Sequence, residues 1–411
     1  MFSFPLPLTE LLGQWGAYSV YFMIGVGFGF ILESAGFGNS KKLAAQFYFK
    51  DLSVFKVMFT AIITAMTLVF LASGLGILDY NLIWVPPTYL WPGIVGGLIM
   101  GVGFIIGGFC PGTSLVAVTT KKVDGMFFVG GVLTGIFIFG ETEQMIDIFF
   151  NSSFYGRFTL PELFGVSYGT IVLAVVVMAL VFFLLSEKVE SFMDSDYKTR
   201  PAWTNMAAAA MVVVSVGVIT IGQPDNADRW EGLAEELQPQ IDNRQVQITP
   251  QELLKLMNDT KLKPILVDVR DELDYNQFHI YGSERLVMDD IITRSELLQF
   301  EPGNSVVVLV SNDEQRATEA WKIMKAESLP NVYLLEGGIN NWLRFFADED
   351  FLANNKIDKP EADCLAYRFD AALGDRFAAS EPVFSMEDPR MFFEPRIKLQ
   401  LKKAPTGGGC G

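Results

Sequence analysis

The chain has 411 residues, of which 50% are hydrophobic and only 19% are charged, and its formal net charge is −16. Soluble proteins average about 25% charged residues, so this composition argues against an ordinary soluble enzyme. The negative charge argues against a nucleic-acid partner, because phosphate binding requires an excess of Lys and Arg. With three Cys and one His, we expect neither a disulfide framework nor a metal site, and no cofactor is indicated.

Charge is distributed unevenly along the chain. The first 223 residues contain 10 Lys+Arg and 13 Asp+Glu and are rich in Gly and Phe, whereas the last 188 residues carry a net charge of −13. This division predicts an α-helical polytopic membrane domain at residues 1–222 and an acidic linker at 223–247. An α/β domain is expected at 248–346, followed at 347–411 by a C-terminal extension that ends in a flexible Gly-rich tail with a cysteine.

Six apolar runs in the first domain are long enough to cross a bilayer, which takes about 20 residues of helix. They lie at residues 18–37, 54–75, 90–109, 125–140, 162–185 and 206–221. The lipid bilayer is therefore an expected partner of this domain. The N-terminus lacks a basic segment and has Pro5 and Pro7 before the first run, so a cleaved signal peptide is not expected.

Basic residues orient the predicted spans. Lysines follow the first, third and fifth runs, whereas the alternate loops carry almost no basic residues. Loops rich in Lys and Arg usually face the cytoplasm, so the N-terminus is expected outside. With an even number of spans the acidic half also lies on the external side of a bacterial inner membrane. One span more or fewer would reverse this placement.

An internal repeat runs through the first two pairs of spans. The sequence Gly-Val-Gly-Phe at 25–28 recurs at 101–104, and the Lys-Lys pair at 41–42 recurs at 121–122. Each copy has a Gly-rich span, a break and a short polar segment. Both copies cross the membrane in the same direction, so we predict parallel repeats of broken helices.

The break in the second copy contains the residues best suited to bind an anion, namely Cys110, Pro111, Gly112, Thr113 and Ser114. Pro and Gly interrupt the helix, and a helix that restarts at position 111 would direct its N-terminal N–H groups into a polar cavity. The hydroxyls at 113 and 114 would add donors. The alternative is that such Gly-rich spans serve only close helix packing.

The first break supplies two further candidates for the same site, Glu33 and Gly38. Glu33 lies at the inner end of its span. We interpret it as an interfacial or inter-helix partner, with a proton carrier as the alternative.

The motif Gly-Gly-Phe-Cys-Pro-Gly-Thr-Ser at 107–114, followed by Lys-Lys-Val-Asp-Gly at 121–125, resembles the YeeE/YedE family of sulfur-compound transporters over about residues 16–222. The resemblance implies an integral membrane protein of repeated broken helices that passes thiosulfate along cysteines. Cys110 matches one of these positions, whereas Gly38 stands where the first repeat often has a cysteine. Cys110 would then act nearly alone, as a polarizable thiol contact.

Beyond residue 247 the pattern changes to alternating strands and helices. Apolar strands are predicted at 264–270, 305–310 and 332–335, with an amphipathic helix at 314–326. Continuous apolar strands of this kind are typical of a parallel sheet covered on both faces. The segments Asp-Val-Arg at 268–270, Phe-His-Ile-Tyr-Gly-Ser at 278–283 and Leu-Glu-Gly-Gly at 335–338 with Trp342 resemble a rhodanese domain. His279 fits a structural role in the second of these segments.

The predicted active loop departs from the rhodanese pattern. Arg316 fixes the register, and the position of the sulfur-accepting cysteine is then Ser311. A serine hydroxyl is a much weaker acid than a thiol and forms no stable persulfide. Asp313 and Glu314 place negative charge where an anion would bind. We therefore predict no sulfurtransferase activity, and a role in binding, gating or docking.

These patterns together predict a transporter of thiosulfate or a related small sulfur anion, with the rhodanese-like domain as a sensor or docking site. The tail leaves three possibilities for Cys410: a sulfur carrier on a flexible arm, a thiol in a disordered tail, or a disulfide with Cys364 if this half lies outside the cell. Alternative functions are a membrane-anchored sulfur carrier and a structural subunit of a membrane redox complex. A sulfur-carrier protein or such a complex would be the protein partner.

Overall fold

The computed structural model describes residues 4–193, 203–357, 362–384 and 389–400. The chain forms two compact units that divide between Gln223 and Pro224. Within the described ranges the first unit is helical, and the second combines helices with a five-stranded sheet.

The first unit contains the membrane spans. In its described part the helices are α1 (Leu8–Ser34), α2 (Ser40–Ala45), α3 (Ser53–Gly74), α4 (Leu90–Gly107), α5 (Pro111–Thr119), α6 (Val123–Phe150), α7 (Leu160–Phe164), α8 (Tyr168–Met193) and α9 (Trp203–Ile221). Six segments are long and apolar enough to cross a bilayer: α1, α3, α4 together with α5, α6, α8 and α9. The predicted polytopic helical architecture is confirmed.

Three predicted spans have different bounds in the structure. Helix α1 begins at Leu8 rather than at residue 18, because the helix continues through polar residues and a kink at Gly13, where φ is +68°. Helix α6 extends to Phe150, since acidic side chains such as Asp147 lower the hydropathy without breaking the helix. The run predicted at 162–185 is divided between α7 and α8, which Gly165 separates with a φ of +63°.

The predicted repeat of broken helices is confirmed. The groups α1–α2–α3 and α4–α5–α6 share the order long helix, break, short helix, long helix. The chain turns at Gly36 after α1 and at Gly108 after α4, with φ values of +79° and +70°. Glycine adopts such values without the steric penalty of a side chain, so both turns favour glycine.

Contacts between helix ends and between loops define the two ends of the first unit. At the end that we call the lysine end, Lys56 in the first turn of α3 forms an ion pair with Glu190 in α8, and Glu190 also accepts from the Leu52 N–H at 2.8 Å. At the opposite end, which we call the loop end, the Thr88 N–H donates to the Gly156 carbonyl at 2.8 Å. This bond joins the loop before α4 to the loop after α6.

The second unit is built on a parallel sheet. In its described part the helices are α10 (Asn226–Asp242), α11 (Pro250–Met257), α12 (Glu272–Gln277), α13 (Ile291–Leu298), α14 (Gln315–Ala326), α15 (Gly338–Phe346) and α16 (Glu349–Asn354). The strands are β1 (Gln247–Ile248), β2 (Lys263–Asp268), β3 (Glu284–Arg285), β4 (Ser305–Val310) and β5 (Val332–Leu335). Their spatial order is β1-β5-β4-β2-β3, and all neighbours are parallel.

Helices cover both faces of this sheet. Leu253 of α11 and Trp342 of α15 belong to the core on one face, whereas Ile291 of α13 and Trp321 of α14 belong to the core on the other. Strand β4 is buried along its whole length, which explains its uninterrupted apolar sequence. The strands predicted at 305–310 and 332–335 form as expected, and the first predicted strand ends at Asp268 rather than at residue 270.

The segment at 223–247, predicted as an acidic linker, is mostly helix in the structure. Asp225 caps α10 by accepting from the Asp228 N–H at 2.8 Å. The apolar side chains of Trp230, Leu237 and Ile241 recur at helical spacing and pack on the core beneath α14. The linker prediction was wrong because the acidic residues of α10 lie on the face away from this apolar stripe and dominate the composition.

The C-terminal extension packs against the second unit over its described residues. Leu365 and Tyr367 are buried in the core beneath α15, and the Trp342 indole N–H donates to the Ala379 carbonyl at 2.7 Å. The Arg396 N–H donates to the Glu252 carboxylate at 2.8 Å. Residues 347–400 are therefore part of this fold where they are described.

Candidate functional site

Cys110 occupies the N-cap position of α5, the short helix of the second repeat. Its Sγ atom lies 3.5 Å from the Thr113 amide nitrogen and 3.3 Å from Thr113 Oγ1, and its own N–H donates to Thr113 Oγ1 at 3.0 Å. This is a capping box in which cysteine takes the place usually held by serine or threonine. Cys110 is only half-buried, and it lies at the positive end of a helix.

The hydroxyls that the sequence suggested as anion donors are engaged within the same turn. Thr113 and Ser114 are buried, and Ser114 Oγ donates to the Pro111 carbonyl at 2.7 Å. The Ser114 N–H donates to the Cys110 carbonyl at 3.0 Å. Residues 110–114 thus lie together in one helical turn. Because both hydroxyls already donate within this turn, Cys110, which is only half-buried, is better placed to meet an anion than either hydroxyl.

Gly38 lies in the break after α1, beside charged side chains from both repeats. Its carbonyl accepts from Lys122 Nζ at 2.8 Å, and the Ala35 carbonyl in the same break accepts from Lys42 Nζ at 2.8 Å. A Cβ atom at Gly38 would lie 2.8 Å from Glu33 Oε2 and 3.2 Å from Lys122 Nζ. The absence of a side chain at Gly38 therefore lets a carboxylate and an ammonium approach the same stretch of backbone.

The two breaks are in direct contact. Ser40 Oγ at the start of α2 donates to Asp124 Oδ2 in the first turn of α6 at 2.6 Å. A Cβ atom at Gly108 would lie 3.0 Å from the Ser40 carbonyl oxygen. Phe37 and Phe109, which occupy matching positions in the two copies, are buried in one cluster. The site that the repeat predicts is thus formed by both copies together.

Three residues that the sequence did not indicate also belong to the site: Ser40, Lys122 and Asp124. Each makes a hydrogen bond between the two repeats. The signal in the sequence is the recurrence of the Lys-Lys pair, together with the motif at 121–125 that contains Asp124. Their contacts could not be inferred, because residue 38 and residue 122 are distant in the chain.

The loop between β4 and α14 carries Ser311, where the resemblance places the sulfur-accepting cysteine. Ser311 is fully buried, and its carbonyl accepts from the Ile339 N–H at 2.9 Å. Gly338 adjoins this loop with a φ of +60°, and a Cβ atom there would lie 2.4 Å from the Ser311 carbonyl oxygen. The loop is therefore closely packed against the start of α15.

A carboxylate from the C-terminal extension binds the backbone N–H groups of this loop. Asp363 Oδ1 accepts from the Asn312 N–H at 3.1 Å and lies 3.4 Å from the Asp313 amide nitrogen. The Asp363 N–H in turn donates to Asp313 Oδ2 at 3.0 Å. Asp313 Oδ1 accepts from the backbone N–H groups of Glu314 and Gln315. The amides of the loop therefore bind carboxylates of the chain itself.

Arg316 is held beside the same carboxylates. It contacts Asp271 at 2.8 Å and Asp363 at 3.2 Å. Burial raises the pKa of the Asp363 carboxyl to about 6; the neighbouring Asp313 carboxylate adds to this rise and Arg316 opposes it. The Asp271 carboxyl has a lowered pKa because Arg316 donates a hydrogen bond to it.

The other residues of the rhodanese resemblance have structural contacts. Arg270 forms a fully buried ion pair with Asp268 at 2.6 Å and also donates to the Phe278 carbonyl at 2.7 Å. The His279 ring stacks on Tyr275 with the ring centroids 3.9 Å apart, and its Nδ1 lies 2.8 Å from the Tyr275 carbonyl oxygen. These contacts join β2 to α12 and the segment after it.

The remaining cysteines lie apart from α5 in the chain. Cys364 is exposed and follows Asp363, and its carbonyl accepts from Asn340 Nδ2 at 3.0 Å. Cys410 lies outside the described residues, so its predicted roles as sulfur carrier or as a disulfide partner of Cys364 remain predictions.

Comparison with protein families agrees with both halves of this description. Residues 34–228 match the family model for sulphur transport, and residues 249–345 match the model for the rhodanese-like domain. The chain is a sulphur transport domain fused to a rhodanese-like domain. No curated protein matches it. The fusion predicted from the sequence is confirmed.

The sulphur transport match covers five of the six candidate spans of the described residues and both breaks, because it begins at Ser34, the last residue of α1, and ends within α10. The protein is therefore a multi-pass membrane protein of sulfur-compound transport, and a small sulfur anion is its class of substrate. The rhodanese-like match covers α11 to α14, α15 except its last residue, and every strand of the described sheet except β1, including the loop of Ser311.

Proposed function

We propose that the protein transports thiosulfate across a bacterial inner membrane, and that the anion passes the Cys110 thiol. The observation that carries this proposal is the position of Cys110 at the N-terminus of α5, in a break that contacts the break of the first repeat. A cysteine that is not fully buried at a helix N-terminus is unusual, because this residue type is commonly fully buried.

The chemistry of thiosulfate suits this arrangement. The anion carries two negative charges and has a soft terminal sulfur. The positive end of α5 favours the charge, and Cys110 Sγ offers a polarizable contact and a weak donor to the sulfur. Lys42 and Lys122 add positive charge at the neighbouring break. This binding needs no covalent bond, so the anion can be released unchanged.

The rhodanese-like domain would serve as a sensor or docking site without catalysis. Ser311 provides no thiol, and the loop amides that would bind an anion already donate to Asp363 and Asp313. With the lysine end in the cytoplasm, as the basic loops predict, the rhodanese-like domain follows an even number of spans and lies outside. A sulfur-carrier protein or a membrane complex is the corresponding partner.

Thiosulfate uptake by cells that express Cys110→Ala tests the proposal. We expect uptake to fall at least about tenfold, which corresponds to about 1.4 kcal/mol of lost interaction. Cys364→Ala is the matched control, since it removes an exposed thiol from the other unit. Equal uptake by the wild type and Cys110→Ala, at equal amounts of protein in the membrane, would contradict the proposal.

A further inference from the structure

Arg157 lies at the loop end of the membrane unit, opposite the lysine end. It is the only basic residue between Lys122 and Lys188. The preceding residue, Gly156, accepts a hydrogen bond from Thr88 and so connects this loop to the loop before α4. A basic residue in such a loop usually extends into water, but the Arg157 side chain is buried, with a residue exposure of 7%.

The contacts of Arg157 leave one edge of its guanidinium group unpaired. Nη1 donates to Asn81 Oδ1 at 3.3 Å, and the guanidinium carbon lies 4.6 Å from the centre of the Tyr80 ring. Nε and Nη2 are buried and have no hydrogen-bond partner among the described residues. The Asp79 carboxylate, two positions before Asn81, accepts from the Asn81 N–H at 3.0 Å.

The burial of the Arg157 guanidinium is unfavourable unless a ligand accepts hydrogen bonds from Nε and Nη2. A buried charged group without its hydrogen bonds destabilises the folded state. The surroundings are aromatic: the Tyr80 ring lies 5.7 Å from that of Tyr168 and 5.1 Å from that of Phe70. Rings of this kind interact with the face of a guanidinium and leave its N–H edge unsatisfied.

The geometry of the free edge identifies the class of ligand. Nε and Nη2 lie on the same side of the planar guanidinium and donate two parallel N–H groups. This fork matches two oxygens of a carboxylate, phosphate or sulfate-like group. In a unit whose substrate class is a small sulfur anion, the matching ligand is a tetrahedral sulfur oxyanion.

We propose that Arg157 forms a binding site for a divalent sulfur oxyanion at the loop end, separate from Cys110, with Nε and Nη2 as the donors. The role of this site as the place where the anion enters rests on the proposed function, whereas the binding itself does not. With the lysine end in the cytoplasm, the Arg157 site faces the compartment from which the anion is taken up. Asn81 and Tyr80 then position the guanidinium.

The sharpest variant is Asn81→Asp. A carboxylate at this position would accept the same hydrogen bond from Nη1 and would neutralise the guanidinium. We expect the affinity for thiosulfate to fall at least about tenfold, since the positive charge is then shared with a competing carboxylate. The melting temperature without anion should stay equal or rise, because the buried charge gains a partner. This result separates anion binding from a structural role.

Binding is measured on the purified full-length protein in a neutral detergent, with thiosulfate and with sulfate, by calorimetry. The measurements use Cys110→Ala as the background, so that only the Arg157 site is observed. Arg157→Lys is the second variant: it keeps the charge but lacks the fork, and we expect at least about tenfold weaker binding. Comparable affinities for thiosulfate and sulfate indicate that the oxyanion is recognised rather than the terminal sulfur.

Two results overturn the inference: no anion binding by Cys110→Ala, or equal binding by Cys110→Ala with and without Asn81→Asp. Neither depends on transport. Normal uptake by Cys110→Ala would contradict the proposed function but would not contradict anion binding at Arg157. In uptake assays, Arg157→Lys and Asn81→Asp should raise KM more than they lower the maximal rate, as expected of a site that the anion occupies first.

Discussion

Asp363 Oδ1 accepts a hydrogen bond from the Asn312 N–H at 3.1 Å, so a residue of the C-terminal extension occupies the loop of the rhodanese-like domain. The Asp363 side chain is 9% exposed and approaches Asp313, whose carboxylate accepts from the Asp363 N–H. The two carboxylates together therefore accept from the successive backbone N–H groups of residues 312–315. The loop therefore resembles an anion-binding site that is already occupied, and the Asp363 carboxylate of the same chain is the occupant.

Asp363→Asn should flatten the pH dependence of stability between about pH 4 and pH 6. The folded-state pKa of Asp363 is raised from 3.8 to about 6, so its favourable contribution is complete below pH 4 and is lost as the pH rises through 6. We expect the wild type to lose about 1–2 kcal/mol more than Asp363→Asn over this range, after allowance for solvent screening. Thermal unfolding of the full-length protein in detergent measures the difference.

Asp271→Asn is the control for this prediction. The pKa of Asp271 is lowered by Arg316, and its side chain is 72% exposed. Its stabilising contribution is lost as the pH falls through the lowered pKa, which is the opposite direction. A pH profile of Asp363→Asn that is parallel to the wild type would show that the Asp363 carboxyl is not buried in this way.

Ser311→Cys should not restore sulfurtransferase activity on its own. The side chain at position 311 is fully buried, and the loop amides donate to Asp363 and Asp313. Adding Asp363→Ala should free the Asn312 amide and produce measurable transfer of sulfur from thiosulfate to cyanide. Activity of Ser311→Cys equal to that of the double variant would show that Asp363 does not block the loop.

Lys122→Met should reduce both thiosulfate uptake and stability. Lys122 Nζ donates to the Gly38 carbonyl at 2.8 Å, and a hydrogen bond from a charged group contributes about 1.5–3 kcal/mol. Lys121→Met is the matched control, since the neighbouring lysine is exposed and has the same charge. We expect uptake to fall several-fold for Lys122→Met and to be unchanged for Lys121→Met. The same decrease in both variants would indicate a general effect of charge.

Deletion of residues 407–411 should leave thiosulfate uptake unchanged if transport depends on Cys110. The deletion removes Cys410 and the glycines before it, and none of the contacts described for α5 involves them. A loss of uptake would favour the alternative in which Cys410 carries sulfur. Cys410→Ser in the full-length chain then separates the thiol from the length of the tail.

The sequence was most informative where one local pattern determines the structure. The six apolar spans, the repeated breaks and the buried strands at 305–310 and 332–335 follow from composition and periodicity. Helix α10 was missed because its acidic residues outnumber the apolar ones that pack. The contacts of Asp363 and Arg157 could not be predicted, since each joins segments that are far apart in the chain.

The hydrogen bonds from Lys122 to Gly38 and from Ser40 to Asp124 have a mechanical consequence. Both cross from one repeat to the other at the two breaks. A conformational cycle that separates the repeats here must break both bonds, each of which involves a charged group. These bonds therefore hold the two repeats together at the breaks, one of which contains the Cys110 thiol. Rearrangements that admit or release the substrate are easier among helices that these two bonds do not join.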